Sequence, residues 1–259
     1  MRLFGLIVSL KALYHLRSPN LPLRLWIDAL CINQDDIPER NQQCFLMGQT
    51  YALAHGVIAW LGRERGGSKS AMESIRELAG LSDISSADST IYTADLAEHL
   101  PSIMRLVTRD YWYRAWIVQD VLQARVITIH CGSDNLQWDD LDKFFQFIKQ
   151  QPDKETDGNS QHLNELRETV AFKFAEDRRN KIRDLCSLLQ RYHGSLTSDP
   201  RDRVFSLCGM IDEKRWVVDY SKSAEEVFRL LCGYSFDDQT AQRGMLAEAL
   251  GKALDLSPE

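Results

Sequence analysis

The length, composition and charge of the chain set the first limits on what it is. Its 259 residues are enough for one large domain, or for one domain with an added subdomain. The hydrophobic fraction of 44% is ordinary for a globular protein. The net charge of −6 leaves no basic excess to neutralise nucleic-acid phosphates, so we expect no nucleic-acid partner.

The cysteines and the apolar N-terminus have ordinary explanations. No two of the six cysteines have the C-x-x-C spacing of a zinc site or a redox dithiol. We therefore expect buried free thiols, no metal site and a cytoplasmic location. Residues 4–10 are apolar but too few to cross a membrane, and leucines recur at helical spacing up to residue 16. We predict an amphipathic helix there and no membrane span elsewhere.

An apolar run from Leu23 to Ile32 leads into a polar loop at residues 33–36. Near-continuous apolar runs are typical of buried parallel strands, and open α/β sheets place ligand sites where such strands end. A helix is predicted next, with Asp35 or Asp36 as its cap and Pro38 in its first turn. With a second strand at residues 57–61, this segment is predicted to be a right-handed βαβ unit.

Further elements complete the predicted α/β class. The glycine-rich residues 62–70 fail the G-x-x-x-x-G-K-[ST] pattern of phosphate-binding loops, so we interpret them as a surface turn. Residues 111–122 are predicted to be helical, residues 125–131 to form a third strand, and residues 138–149 to form a helix. The fold class is thus α/β, with a central parallel sheet flanked by helices and a mainly helical C-terminal half.

The predicted organisation has three parts. Residues 1–150 form the α/β core, residues 151–164 a polar linker or loop, and residues 165–259 a helical C-terminal part. Within the last part, Asp199 and Pro200 are predicted to open a helix that ends at Gly209. Asp202 is expected to pair with an arginine, and Ser223 to Glu226 form a capping box.

Three blocks of sequence resemble the fungal heterokaryon-incompatibility (HET) domain. They are Leu25-Trp26-Ile27-Asp28-Ala29-Leu30-Cys31-Ile32-Asn33-Gln34 with Glu39-Arg40 and Val57-Ile58-Ala59-Trp60-Leu61-Gly62; Tyr111-Trp112-Tyr113-Arg114-Ala115-Trp116-Ile117-Val118-Gln119-Asp120; and Asp199-Pro200-Arg201-Asp202-Arg203-Val204-Phe205. The resemblance extends over most of the chain and implies a module of fungal nonself recognition that triggers programmed cell death. It also implies protein partners or self-association.

The same resemblance suggests a chemistry. HET domains have been likened to Toll/interleukin-1 receptor (TIR) domains, which have a flavodoxin-like parallel sheet and some of which cleave NAD with a glutamate. The TIR signature Trp-x-x-x-Glu has the spacing of Trp116-x-x-x-Asp120 in this chain. The resemblance therefore implies Asp120 as the catalytic group of a possible NAD glycohydrolase. It implies no certain cofactor, and NAD enters as a possible substrate.

Seven further residues are candidates for binding such a ligand: Asp28, Asn33, Gln34, Arg40, Arg114, Trp116 and Gln119. Structural alternatives stay open for several of them. Asp28 is either a ligand group or half of an ion pair with Arg40, Arg114 or Arg201. Asn33 and Gln34 either cap the following turn or bind the ligand, and Trp116 is either a core residue or a stacking surface.

Two departures from the family pattern bear on activity. The family usually has Gln-Glu where this chain has Gln119 and Asp120, and a reacting group misplaced by about 1 Å costs on the order of a hundredfold in rate. The strand that opens the family pattern is also absent before Met1. The hypotheses that remain are a death-inducing signalling module, a TIR-like hydrolase weakened by the aspartate, and an inactive truncated relative.

Overall fold

The computed structural model describes residues 2–17, 22–81, 89–151, 158–211, 218–234 and 240–256. These residues fold into a mixed α/β structure in which helices predominate, so the predicted class is confirmed at that level. The described helices are α1 (Arg2–Leu16), α2 (Asp28–Cys31), α3 (Ile37–Leu53), α4 (Ser68–Leu81), α5 (Ser89–Val107), α6 (Ile117–Gln123), α7 (Trp138–Gln150), α8 (Gly158–Arg167), α9 (Val170–Asn180), α10 (Leu185–Tyr192), α11 (Asp202–Cys208), α12 (Ala224–Tyr234) and α13 (Thr240–Ala253). The described strands are β1 (Val57–Trp60), β2 (Ile127–Cys131) and β3 (Asp134–Gln137).

The sheet is small and mixed, with strand order β1-β2-β3. β1 pairs in parallel with β2, with Val57 opposite Ile127, and β2 pairs with β3 in an antiparallel hairpin. Gly132 makes the hairpin turn with φ 60°, a conformation that favours glycine. Because the described residues contain one parallel strand pair, the expected flavodoxin-like or TIR-like parallel sheet is not shown.

The predicted strand at Leu23–Ile32 does not form. Residues 22–27 belong to no strand, and α2 follows as a single turn in which the Ile32 N–H donates to the Asp28 carbonyl at 3.1 Å. Leu23 and Leu30 are 58% and 54% exposed, whereas a central parallel strand is buried on both faces. A short apolar run does not distinguish a strand from other buried segments, and here it predicted the wrong element. The expected βαβ unit is therefore also wrong, and β1 reaches its parallel partner β2 through α4, α5 and α6.

Local capping signals predicted where helices begin more accurately than the apolar run predicted a strand. Asp36 caps α3, where its side chain accepts a hydrogen bond from the Glu39 N–H at 3.1 Å, and Pro38 lies in the first turn. Ser223 and Glu226 form the predicted capping box at α12, with reciprocal bonds of 3.2 and 2.7 Å. The strands β1 and β2 lie within the ranges predicted for them.

The aromatic segment predicted as one helix is divided in two. Residues 110–113 form a 3-10 turn, and α6 begins only at residue 117. The break follows from a bridge to a distant residue: the Leu196 N–H donates to the Tyr113 carbonyl and the Ala115 N–H donates to the Leu196 carbonyl. This bridge holds Arg114 in an extended conformation and so interrupts the helix.

Part of the predicted polar linker at residues 151–164 lies outside the described residues. Residues 152–157 are outside the described residues, and α8 begins at Gly158. The proposed division into three parts stays a prediction. None of the described helices combines the length and apolarity needed to cross a membrane.

Two glycines allow a close backbone contact between the N-terminal and C-terminal parts of the chain. At the contact between α3 and α11, a Cβ atom added to Gly48 would lie 2.1 Å from the Gly209 carbonyl oxygen. No side chain fits at that distance, so the two backbones approach directly. This close contact brings α3 against α11 and the loop before it, and the candidate site lies beside it.

Candidate functional site

A crevice of about 560 Å³ lies beside the contact between α3 and α11. Its volume is within the range of roughly 300–1,000 Å³ that is typical of small-molecule sites. The crevice is lined by Asp28, Ala29, Ile32, Asn33, Gln34, Arg40, Cys44, Met47, Arg114, Trp116, Ser198, Asp199, Asp202 and Tyr220. A depression of about 660 Å³ near Met104 and Glu168 is larger but more open, and it contains none of the predicted site residues.

Six of the eight predicted site residues line this crevice, and two do not. Asp28, Asn33, Gln34, Arg40, Arg114 and Trp116 are brought together there. Gln119 and Asp120 lie in the structure behind the walls rather than on them. The crevice is built from α2, α3, the segment before α6 and the loop before α11, and not from the ends of parallel strands as the sequence suggested.

Arg40 forms a compact network with two residues from the C-terminal half. Its guanidinium lies 3.6 Å from the Asp202 carboxylate and stacks on the Tyr220 ring, with 3.3 Å between the guanidinium carbon and the ring centroid. The Tyr220 hydroxyl and the Thr197 hydroxyl donate to the two carboxylate oxygens of Asp202 at 2.5 and 2.9 Å. The predicted pairing of Asp202 with an arginine is therefore confirmed. Burial raises the pKa of Asp202 above its ordinary value, and the two hydroxyl donors oppose that rise.

A second ion pair closes the adjacent wall. Arg201 donates from Nε and from a terminal nitrogen to the two oxygens of Asp199, at 2.9 and 2.8 Å. It also donates to the Tyr220 carbonyl at 3.0 Å. Burial of Asp199 favours its neutral form, but the hydrogen bonds from Arg201 outweigh burial and lower the pKa of Asp199 below its ordinary value. Asp199 is therefore an ionised, structurally engaged part of the wall.

One residue of the polar loop after α2, Asn33, has a structural role. The Asp35 N–H donates to the Asn33 side-chain oxygen at 3.2 Å, and the Asn33 N–H donates to the Glu39 carboxylate at 2.9 Å. The Asn33 side chain therefore caps this turn, as one of the two alternatives expected. Gln34 also lines the crevice, and the turn brings its side chain to the crevice without engaging it in the cap.

Two charges in the crevice have no counterpart in its walls. Asp28 is half-buried and Arg114 is exposed. Neither forms an ion pair or a side-chain hydrogen bond with another residue that the structure describes. The alternative in which Asp28 pairs with Arg40, Arg114 or Arg201 is therefore not found in that part of the chain.

Asp120 lies behind the crevice wall, among tyrosines. Burial raises its pKa to about 7, while a hydrogen bond from Tyr51 and the charge of Arg114 lower it. Its Oδ1 atom is buried and has no hydrogen-bond partner in the described structure, and the same is true of the Tyr111 hydroxyl. The charge of Asp28 also acts on Asp120, so this carboxyl is electrostatically coupled to both unpaired charges of the crevice.

Gln119 is a fully buried residue of the core. Both polar atoms of its side chain are without a hydrogen-bond partner in the described structure. Its Oε1 atom would lie 3.0 Å from a Cβ atom placed on Gly209, so Gln119 packs at the α3–α11 contact. Trp116, one helical turn before Asp120, is half-buried and does line the crevice.

Several crevice residues were not singled out from the sequence. Cys44 and Met47 are buried residues of α3 that also line the crevice. Burial raises the pKa of the Cys44 thiol to about 11, which makes it a poor nucleophile. Tyr220 carried no local signal, because its role depends on residues that are distant in sequence. No cluster of three or more potential metal ligands occurs in the described part of the chain.

Part of the chain is similar to known proteins. Residues 8–120 match the family model described as heterokaryon incompatibility protein (HET). Residues 8–120 are therefore similar to a HET domain. A segment of 64 residues is 44% identical to heterokaryon incompatibility protein 6, OR allele, of Neurospora crassa. That alignment covers 25% of this chain and 9% of the relative, so the chain matches a small part of a much longer protein. No solved structure is significantly similar to the chain.

The HET match ends at Asp120, but residues beyond Asp120 also line the crevice. Ser198, Asp199, Asp202 and Tyr220 line it from beyond the matched residues. Residues of all three family-like blocks thus converge on one crevice, and Ser198 and Tyr220 join them from outside those blocks.

Proposed function

We propose that the chain is a module of fungal heterokaryon incompatibility, which takes part in nonself recognition and triggers programmed cell death. The observation that carries this proposal is the convergence of six predicted site residues, all from the HET-like blocks, on a single crevice. The HET domain match and the incompatibility protein of Neurospora crassa support it. In this proposal the module acts in the cytoplasm, through protein partners or self-association.

The construction of the crevice suggests how such a module responds to a ligand. Arg40 on α3 pairs with Asp202 on α11, so one wall belongs to the N-terminal part and the other to the C-terminal part. A ligand bound between these walls contacts both parts and favours the arrangement to which it binds best. A partner protein that contacts either part then distinguishes the occupied module from the empty one.

Induced expression in a filamentous fungus tests this proposal. The wild-type chain is expected to arrest growth, and Arg114→Gln is expected to weaken the arrest because it removes a crevice charge. Arg229→Gln changes an exposed arginine of α12 outside the crevice and is the matched control. Normal growth with abundant, folded wild-type protein would contradict the proposal, as would full arrest by the Arg114→Gln variant.

A second candidate function is NAD cleavage by a weakened TIR-like hydrolase. Asp120 favours it, because a carboxyl group whose pKa is about 7 is well suited to accept a proton near neutral pH. In this reaction the bond between nicotinamide and the ribosyl carbon breaks, nicotinamide leaves with the electron pair, and water supplies the new hydroxyl group. Asp120 would accept the proton of that water. Its position behind the wall, rather than on it, is consistent with a low rate.

Release of nicotinamide from NAD tests the second candidate. The wild-type chain is expected to release nicotinamide slowly, Asp120→Glu faster and Asp120→Ala not at all. Absence of release from all three proteins would exclude the hydrolase. The growth experiment would then decide between a non-enzymatic signalling module and an inactive relative.

A further inference from the structure

The charges that line the crevice specify the kind of ligand it accepts. Two arginine–aspartate pairs in the walls neutralise one another, as described above. Asp28 and Arg114 are different, because neither has an ion-pair partner among the described residues. An empty crevice with one unmatched negative and one unmatched positive side chain is complementary to a ligand that carries both charges.

Arg114 is suited to bind the anionic group of such a ligand. Its backbone is fixed by the bridge to Leu196, in which the Ala115 N–H donates to the Leu196 carbonyl at 3.1 Å. Its side chain is exposed and lines the crevice, and it donates no hydrogen bond to another residue that the structure describes. A guanidinium binds phosphate or carboxylate through two parallel hydrogen bonds, which gives both strength and orientation.

Asp28 and Trp116 are suited to bind a cationic ring. The Asp28 carboxylate attracts a positive charge, and the half-buried indole of Trp116 lines the same crevice. The face of an indole attracts a cation that lies within about 6 Å of its centroid. The carboxylate and the aromatic face therefore both stabilise a bound planar cation, whereas a bound neutral ring is stabilised only by stacking.

We propose that the crevice binds a small molecule that has a planar cationic ring at one end and an anionic phosphate or carboxylate at the other. Asp28 recognises the charge of the ring, and Arg114 binds the anionic group. The crevice volume of about 560 Å³ accommodates a ligand of nucleotide size. The inference rests on the proposed function only in taking the crevice as the working surface of the module.

Calorimetric titration with NAD and NADH tests the assignment, because these probes share a pyrophosphate and differ in the charge of the nicotinamide ring. We expect the wild-type chain to bind NAD about tenfold more tightly than NADH. Asp28→Asn removes the carboxylate charge without changing its shape, so it is expected to abolish that preference. Arg114→Gln is expected to weaken binding of both probes by a similar factor, of about tenfold.

Matched variants keep the result interpretable. Asp139→Asn and Arg229→Gln make the same chemical changes at exposed positions of α7 and α12, and both are expected to bind like the wild type. Equal affinity for the two probes, no binding of either, or an unchanged preference in a folded Asp28→Asn variant would overturn the assignment. Nicotinamide release measured in the same samples separates binding from cleavage. Growth arrest by a chain that shows no preference would overturn the charge assignment and leave the proposed function standing.

Discussion

Asp120 is a predicted catalytic residue whose buried environment changes its pKa. On the sequence it is an acid on a helix, and the TIR analogy made it a catalytic candidate. In the structure its carboxyl lies near Tyr51, and the charges of Asp28 and Arg114 act on it from the crevice. A buried carboxyl with an unpartnered oxygen is costly when ionised, which is why burial raises its pKa.

The stability of the protein should therefore depend on pH through Asp120. Its pKa is about 7 in the folded chain and has its ordinary value of 3.8 in the unfolded chain. Below pH 4 both states hold the proton, and between pH 4 and pH 7 only the unfolded state releases it. The stabilising contribution of Asp120 is thus present at low pH and lost as pH rises to 7, by an amount on the order of 4 kcal/mol.

Comparison with Asp120→Asn isolates this contribution from other buried acids, such as Asp202, whose pKa is also raised. Urea unfolding at pH 4.5 and at pH 7.5 measures the difference in the free energy of unfolding between the variant and the wild type. We expect the variant to gain stability relative to the wild type at the higher pH. An equal difference at both pH values would show that the Asp120 carboxyl is not held in its neutral form.

At the scale of elements, the contact between α3 and α11 is the most sharply defined. Gly48→Ala places a methyl group 2.1 Å from the Gly209 carbonyl oxygen, so the two helices must separate. We expect a loss of about 3 kcal/mol in the free energy of unfolding. Gly80→Ala, in the last turn of α4, is the control because nothing lies within 4 Å of the added atom. That substitution is expected to stabilise the protein by about 0.5–1 kcal/mol.

Chemical unfolding of the two variants measures both effects. Opposite signs, with Gly48→Ala unfolding at lower denaturant, support the close contact. If Gly48→Ala were as stable as the wild type, α3 and α11 would not meet through their glycines, and the crevice beside them would have a different shape.

The loop after β1 depends on a buried arginine. Arg109 is 5% exposed and donates to the carbonyls of Leu61, Arg63 and Arg65 at 2.9, 3.0 and 3.0 Å. The glycine-rich loop that failed the phosphate-binding pattern thus directs carbonyl oxygens at a cation, whereas phosphate loops direct N–H groups at an anion. No local sequence pattern pointed to the arginine that holds this loop.

Arg109→Met keeps much of the aliphatic length but removes every donor. Three carbonyls then lose their partner, and we expect a loss of about 3 kcal/mol in the free energy of unfolding. Arg105→Met is the control, because the exposed Arg105 donates one bond, to the Gly66 carbonyl at 2.9 Å, and its loss should cost about 1 kcal/mol or less. Thermal or chemical unfolding distinguishes the two, and equal losses would contradict the structural role of Arg109.

At the scale of the whole molecule, the sequence predicted what depends on neighbours along the chain. The cap at Asp36 and the capping box at Ser223 are local hydrogen-bond patterns and were found. The apolar run at residues 23–32 was assigned to the wrong element, because burial on both faces is decided by tertiary packing. The stacking of Arg40 on Tyr220 joins residues that are far apart in the chain, and no local pattern reports such a contact.

The family resemblance supplied most of the site, including Asp199 and Asp202 of its far wall, but not Ser198 or Tyr220. Six candidate residues converge on the crevice, which composition and spacing alone would not have indicated. Asp120 was predicted from the spacing of the TIR signature, and Gln119 belongs to the same family-like block, yet a helix directs successive side chains to different faces. The four lining residues beyond the HET match show that the crevice is a property of the whole chain.

The energetic coupling between Arg40 and Asp202 tests this account most directly. The two side chains lie 3.6 Å apart, are 25% and 4% exposed, and join the HET-matched part to the C-terminal part. A double-mutant cycle of Arg40→Ala and Asp202→Ala in urea unfolding cancels the other contacts of each residue. We predict a stabilising coupling energy of about 1–3 kcal/mol. A coupling energy within about 0.4 kcal/mol of zero would show that the two parts do not share one crevice.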